Sequence, residues 1–336
     1  MAEQALAVEA DREHPRSAST ASAEKTRTAR RIASRLSQAL LILIGTSLIV
    51  FVAVFALPGD PVQALIGDAV LTDAVESAIR AKYHLDDPLL VQYWNYISGI
   101  ARGDFGTTVG GEDVGTILAR AWPVTIKLAL TAWILELIVG ITAGTLAALR
   151  PGGLLDKAVL AATVLTLAVP TFVLAFFVQS VVGVSWGILP VAGISEGWPT
   201  SYLLPAFCLA TLGFGPVARL TRSSVLSTRS ADFVRTARAK GISTGRLTVR
   251  HILRNALVPV VTYLGLDLGG LLGGSVVVEG IFNLPGVGGE LFTGISSQQG
   301  TLVVGIVSAL VLVAVAVNIF VEIAHHLLDP RIRQDK

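Results

Sequence analysis

Six apolar stretches, each near the roughly 20 residues that cross a bilayer as a helix, set the terms for this chain of 336 residues. They lie near 36–57, 123–149, 159–183, 201–218, 257–278 and 301–324. In hydrocarbon a backbone must bond to itself, so segments of this length are read as helices. Composition agrees: 15% of the residues are charged, where soluble domains carry about a quarter. The fourth stretch is the most interrupted, by Pro205, Gly213, Gly215 and Pro216. Membrane helices tolerate such residues when neighbouring helices satisfy the freed backbone groups. The expected fold class is an all-α integral membrane protein with six transmembrane helices and a long helical extracytoplasmic loop.

Net charge is only +2, but the cations are unevenly placed. The segment 1–35 holds seven Lys/Arg, and Arg219 to Arg254 holds nine against one acid, Asp232. The segment 58–121 has four against nine acids, and 184–200 and 280–300 have none. Six spans put both termini on one side, and the basic side is cytoplasmic by the positive-inside bias. Residues 1–35 are polar and Ala/Ser-rich and are expected to be a disordered cytoplasmic tail. The first apolar run reads as a retained anchor, since no small-residue cleavage site follows it. Residues 36–326 form the expected transmembrane domain and 327–336 a cytoplasmic C-terminal tail. The single cysteine, Cys208, reads as a packing residue.

The segment 58–121 is too long for a simple connector. Thr72 is placed to cap a helix running to about Tyr83. Leu89, Leu90, Tyr93, Trp94 and Ile97 follow helical spacing, as an interfacial helix or a docking surface would. Trp122 and Pro123 are placed at the start of the second span. Lys127 sits where it can snorkel outward, whereas Glu136 lies deep in that span. Asp267 lies in the fifth span, among glycines spaced for close helix contact. Ionisable groups at such depth usually face a partner or an aqueous path, so Glu136 and Asp267 are the candidate pathway residues. After the fifth span, "EGIFNLPGVGG" reads as a tight turn. Its residues Ile281, Phe282, Leu284, Pro285 and Gly286 either dip into the mouth of the bundle as an outer gate or lie at the interface.

The basic loop 219–256 contains "ADFVRTARAKGISTGRLTVRHILRNALVPVVT". Asp232 at the start of a short helix and Arg238 and Lys240 at its end suit the helix dipole. Gly241 supplies the left-handed stop, and Ser243 or Thr244 caps a second helix. The expected product is a helix–Gly–helix element offering a small surface at Thr236, Ala237 and Ala239.

Here the chain resembles a known family. "RTARAKG" with "HILRNALVPVVT" is similar to the loop that inner-membrane permeases of ATP-binding-cassette importers insert into their ATPase partners. The family form is E-A-A, three residues, then Gly. Arg235, Thr236 and Ala237 stand for E-A-A, and Gly241 for the glycine. Arg replaces the leading acid and the stretch to Pro259 is long, as in the dipeptide/oligopeptide/nickel branch. "LPGDP", "LDDPLLVQYWNYISGIARGDFG", "VVVEGIFNLPGVG" and "DPRIR" also resemble that branch, from about Arg30 to the C-terminus.

The resemblance implies a bacterial plasma-membrane permease for di- or oligopeptides, with the loop as its cytoplasmic coupling helix. ATPase coupling would fall to Arg235, Thr236, Ala237, Arg238, Ala239, Lys240 and Gly241. The implied partners are a homologous second permease in a heterodimer, two cytoplasmic ATPase subunits and an extracytoplasmic binding protein, with no nucleic acid. No catalytic, cofactor or metal site is expected in this chain. No G-x-x-x-x-G-K-[ST] phosphate loop occurs, so ATP and Mg would be held by the partner ATPases. His325 and His326 near Asp329 suit an interface better than a metal. The alternatives are a permease of the same build for nickel chelates, glutathione or another small solute, and a stand-alone secondary transporter. Such transporters often carry internal repeats, which are not evident here. An intramembrane hydrolase would need a base beside Ser275 or Thr262, and no intramembrane His supplies one.

Overall fold

The computed structural model describes residues 37–38, 41–53, 62, 72–82, 86–108 and 110–328, with 75–76, 79, 82 and 318–328 by backbone alone. The expected tail 1–35, residues 329–336 of the expected tail 327–336, and "LPGDP" lie outside the described residues, as do the side chains of His325 and His326. Met1–Ile49 and Val50–Lys336 are separate units. The described residues are helical, apart from turns and one antiparallel bridge between Thr107 and Asp113.

In chain order the helices begin with α1 (Leu41–Ala53), α2 (Asp73–Lys82), α3 (Leu89–Ala101), α4 (Val114–Leu149), α5 (Leu154–Ala168) and α6 (Thr171–Val178). Then follow α7 (Thr200–Arg229), α8 (Asp232–Ala239), α9 (Thr244–Leu247) and α10 (Arg254–Ala256). Last come α11 (Val258–Ile281), α12 (Val287–Ser296) and α13 (Gly300–Leu328). Four are long and apolar enough to cross a membrane: α4, α7, α11 and α13 over Gly300–Val317. The third apolar run is broken: α5 and the helical stretch Thr171–Ser185 meet at 103° and make a fifth span only if taken together. The cause is Pro170. It lacks an N–H and forces Val169 before it to the extended φ −91°, ψ 120°. Of the first run, the described residues are helical at 37–38 and over Leu41–Ala53.

Two other boundaries differ from the expected ones. Helix α4 starts at Val114, well before Pro123, because Asp113 caps it by accepting from the Thr116 N–H at 2.8 Å. Pro123 therefore sits inside the helix. Helix α7 runs unbroken through Pro205 and Pro216. At about 1.5 Å per residue its 30 residues span about 45 Å, more than a hydrocarbon layer of about 30 Å. The excess carries Arg222 and Arg229 past the apolar part of the bundle.

Helices α4 and α7 pack along their length through small residues, Gly140 and Gly144 facing Val217, Ala218 and Thr221. With no hydrophobic driving force between helices in lipid, such close approach is what gains dispersion energy. A shared core joins α4, α6, α7 and α11 through Leu128, Ala175, Leu209 and Leu271, with fully buried Cys208 among them. A second cluster joins the start of α4 to α12 and α13 through Val114, Ile117, Leu291 and Ile306. A third, Ala148, Val225, Val234, Ala237, Leu247 and Ile252, holds the basic loop under α4 and α7.

Helix α3 divides its apolar residues. Leu90 and Trp94 are exposed, while Phe51 stacks near Tyr93 and Tyr96. The Tyr96 hydroxyl donates to the Val304 carbonyl at 2.9 Å and pairs with Ser308 Oγ at 2.6 Å, tying the segment to α13. Burial pushes that hydroxyl's pKa upward, so it stays a donor at any working pH. Tyr96→Phe should cost about 1–2 kcal/mol and speed amide hydrogen exchange over 89–101. Unchanged exchange there would contradict the tie.

Candidate functional site

Three groups of polar residues stand out in a molecule otherwise built to be apolar. The first is the basic loop. Helix α8 begins at Asp232 and ends with Arg238 in its last turn. Gly241 has φ +76°, with open space where a Cβ would lie, so the left-handed turn alone calls for glycine. Thr244–Leu247 continues through a wide turn, Thr248–Leu253, into α10 and then α11. Ser243 precedes α9 without a side-chain cap bond.

The loop's exposed face differs from the expected surface at one residue. Val234 and Ala237 point inward and are buried against Ala148, Val225 and Ile252. Arg235, Thr236, Arg238, Ala239, Lys240 and Gly241 are exposed, and Phe233 is 46% exposed. One helix face thus presents Phe233, Thr236 and Lys240, at i, i+3 and i+7. Ala237 is a packing residue behind that face. The Arg235–Asp232 ion pair, 3.6 Å apart at the exposed surface, contributes little.

The loop is fixed to the bundle by a charge clamp absent from the expected site. Asp156, on the first turn of α5, takes a two-pronged bond from Arg222 of α7 at 2.5 and 2.8 Å. The Gly152 N–H also donates to it at 2.8 Å. Paired forks of this kind fix orientation as well as adding energy. Arg229 donates to the carbonyls of Ala148 and Leu149, the unpaired end of α4. The α4–α5 turn and the stem of the basic loop are therefore one mechanical unit.

The second group joins the two candidate pathway acids. Glu136 of α4 is 1% exposed and Asp267 of α11 is half-buried. The two carboxyl groups are neighbours. Tyr263 donates to Asp267 Oδ1 at 3.2 Å, but among the described residues Glu136 Oε1, Oε2 and Asp267 Oδ2 have no donor. Gly213 of α7 makes the room: a Cβ there would fall on the Glu136 carboxyl. Trp133, one turn before Glu136, donates to the Leu264 carbonyl at 2.9 Å and holds α4 to α11. Lys127 lies on the exposed face of α4.

The third group is the turn after α11. Phe282 and Leu284 are buried in the main core, Ile281 packs against it, Pro285 is exposed and Gly286 is buried. At its centre is Glu279, fully buried. Its Oε2 accepts from the Gly288 N–H at 2.8 Å and the Gly289 N–H at 3.1 Å, the orphan donors at the start of α12. Thr125 of α4 accepts from the Val287 N–H at 2.8 Å. The segment after α6 joins in: Gly193 donates to the Phe282 carbonyl at 2.8 Å, and Gln179 to those of Val191 and Ile281. Glu279 is not among the residues predicted from sequence. The available signal was an acid ending an apolar helix, with paired glycines about ten residues on.

Two substitutions check these placements. Gly213→Ala should destabilise the protein by about 1–3 kcal/mol, and Glu136→Ala in the same chain should restore most of the loss; additive losses would contradict the contact. Glu279→Ala orphans two amides at about 1–3 kcal/mol each. Faster hydrogen exchange should then be confined to 282–296, and exchange raised evenly over the chain would contradict that.

Comparison with known proteins identifies the family. Residues 140–334 match the family described as binding-protein-dependent transport system inner membrane component, and residues 28–119 match its N-terminal companion. The dipeptide transport system permease protein DppB of Bacillus subtilis is 36% identical over 89% of this chain and 96% of its own. The oligopeptide transport system permease protein OppB of Haemophilus influenzae is 34% identical over 82% and 90%. The glutathione transport system permease protein GsiC of Shigella flexneri is 35% identical over 85% and 93%. Among solved structures, an amino acid ABC transporter aligns with a TM-score of 0.49 and 13% identity, over 63% of this chain and 94% of that chain. The chain belongs to the binding-protein-dependent transport system inner membrane components, the multi-pass permease subunits of such systems.

Proposed function

We propose that this chain is the permease subunit of an ATP-driven importer of di- and oligopeptides and that the α8–Gly241–α9 element couples it to separate ATPase subunits. The observation that carries the reading is the face of Phe233, Thr236 and Lys240, presented on a helix clamped to α4, α5 and α7. A partly exposed aromatic ringed by small and cationic residues is the kind of anchor that seats in a partner's pocket. The cations Arg235, Arg238 and Lys240 around it suit an acidic rim, which steers association more than it tightens it.

On this reading six spans cross the bacterial plasma membrane: the run 36–57, α4, α5 with α6, α7, α11 and α13. Both termini and the basic loop are cytoplasmic by the positive-inside bias. The chain forms half of the pathway beside a homologous permease in a heterodimer, and α3 and the 282–289 turn face a substrate-binding protein outside. ATP and Mg belong to the ATPase subunits, and this chain contributes no catalytic group. Peptide cargo follows from the dipeptide and oligopeptide relatives. The glutathione relative keeps that small peptide as the second reading.

Uptake of labelled di- and oligopeptides by proteoliposomes holding the assembled importer is the direct test. ATP-dependent peptide uptake is expected, and uptake without any ATPase would overturn the reading. Phe233→Ala should weaken ATPase association by about 2 kcal/mol, roughly thirtyfold, with thermal stability unchanged. Ala237→Trp should lower thermal stability first, because it overfills a buried site. Equal ATPase association by wild type and Phe233→Ala would remove Phe233 from the contact.

A further inference from the structure

The acid pair between α4 and α11 is an incomplete hydrogen-bonding site. Glu136 is 1% exposed, with a glycine opposite it that makes room for its carboxyl. Both of its oxygens and Asp267 Oδ2 are buried with no hydrogen-bond partner among the described residues. A buried polar atom left this way is costly, and in hydrocarbon more so. Among the described residues neither acid has a salt-bridge partner. The groups facing the pair are Tyr263 on α11, whose hydroxyl is spent on Asp267 Oδ1, and Gly213 on α7, which offers no hydrogen. The site is not sealed: Asp267 is half-buried, and Gly270, one turn along α11, is exposed with open space where a Cβ would be.

We infer that Glu136 and Asp267 form a binding site for a primary ammonium group, which on the peptide reading is the N-terminal ammonium of the substrate. A primary ammonium carries one positive charge and three N–H donors, one for each orphan acceptor. Its bonds to carboxylates are charge-assisted and short. Neutral donors would fill the acceptors but leave the charge uncompensated, and a quaternary ammonium would supply charge without hydrogen. In the empty site one hydrogen is held between the two carboxyls. Entry of the ammonium expels that hydrogen as a proton to solvent, leaving two carboxylates around one cation.

The test uses the full chain in lipid nanodiscs and infrared difference spectra of its carboxyl groups. The carbonyl stretch of a protonated carboxyl is expected in the empty protein, absent in Glu136→Gln and in Asp267→Asn. n-Propylammonium should abolish it in the wild type, and tetramethylammonium at the same concentration should not. A signal unmoved by n-propylammonium, or moved equally by both, overturns the proposal without any variant having to fold. Trialanine and N-acetyl-trialanine separate the two claims. Loss of the signal with trialanine alone supports the peptide ammonium as occupant. A response to n-propylammonium but to neither peptide supports the ammonium site and contradicts the peptide reading. Glu136→Gln and Asp267→Asn should each weaken n-propylammonium binding at least about tenfold, the loss of one charged hydrogen bond.

Discussion

The close packing of α4 against α7 sets the spacing on which the functional geometry depends. Lipid offers helices no hydrophobic reason to associate, so contact has to come from backbones brought near enough for dense packing. Gly140 and Gly144 allow that approach against Val217, Ala218 and Thr221. The same spacing leaves room at Gly213 for the Glu136 carboxyl and brings Arg229 to the carbonyl end of α4. Separate these helices by the width of a methyl group and the acid pair, the clamp and the seat of the basic loop would all shift together.

The two ends of the bundle use the same chemistry with opposite sign. At the basic end, guanidinium groups bond the carbonyls that close α4 and the carboxylate of Asp156. At the other end, the carboxylate of Glu279 bonds the amides that open α12. Helix termini are where backbone groups go unpaired, so a helical membrane protein finds its polar attachment points there. One uninterrupted helix, α11, runs from the end of the basic loop to Glu279, with Asp267 along its length. On the proposed coupling, that continuity gives the two ends a shared rigid element.

Much of this was legible in the sequence because membrane helices announce themselves by length and polarity. The apolar runs corresponding to α4, α7, α11 and α13 emerged as helices, as did the turn at Gly241, where only backbone conformation was at stake. Contacts between distant residues were not legible. Nothing local in "GFGPV" says that Gly213 faces Glu136, or in "LLDKA" that Asp156 awaits Arg222. The bend at Pro170 was readable in principle, since proline constrains the residue before it. The exposed face of α8 was misassigned at Ala237 because motif spacing names positions without saying which way they point. Val234 and Ala237, three apart, make the inward stripe, and that places Phe233 outside.

The coupling role has a direct chemical test, since the native Cys208 is fully buried and leaves a single introduced thiol to report. In the assembled importer, Phe233→Cys should form a disulfide with a cysteine placed in the facing pocket of the ATPase subunit, while Ala237→Cys should not. A bond formed through position 237 with position 233 silent, or none at either, would contradict the proposed contact.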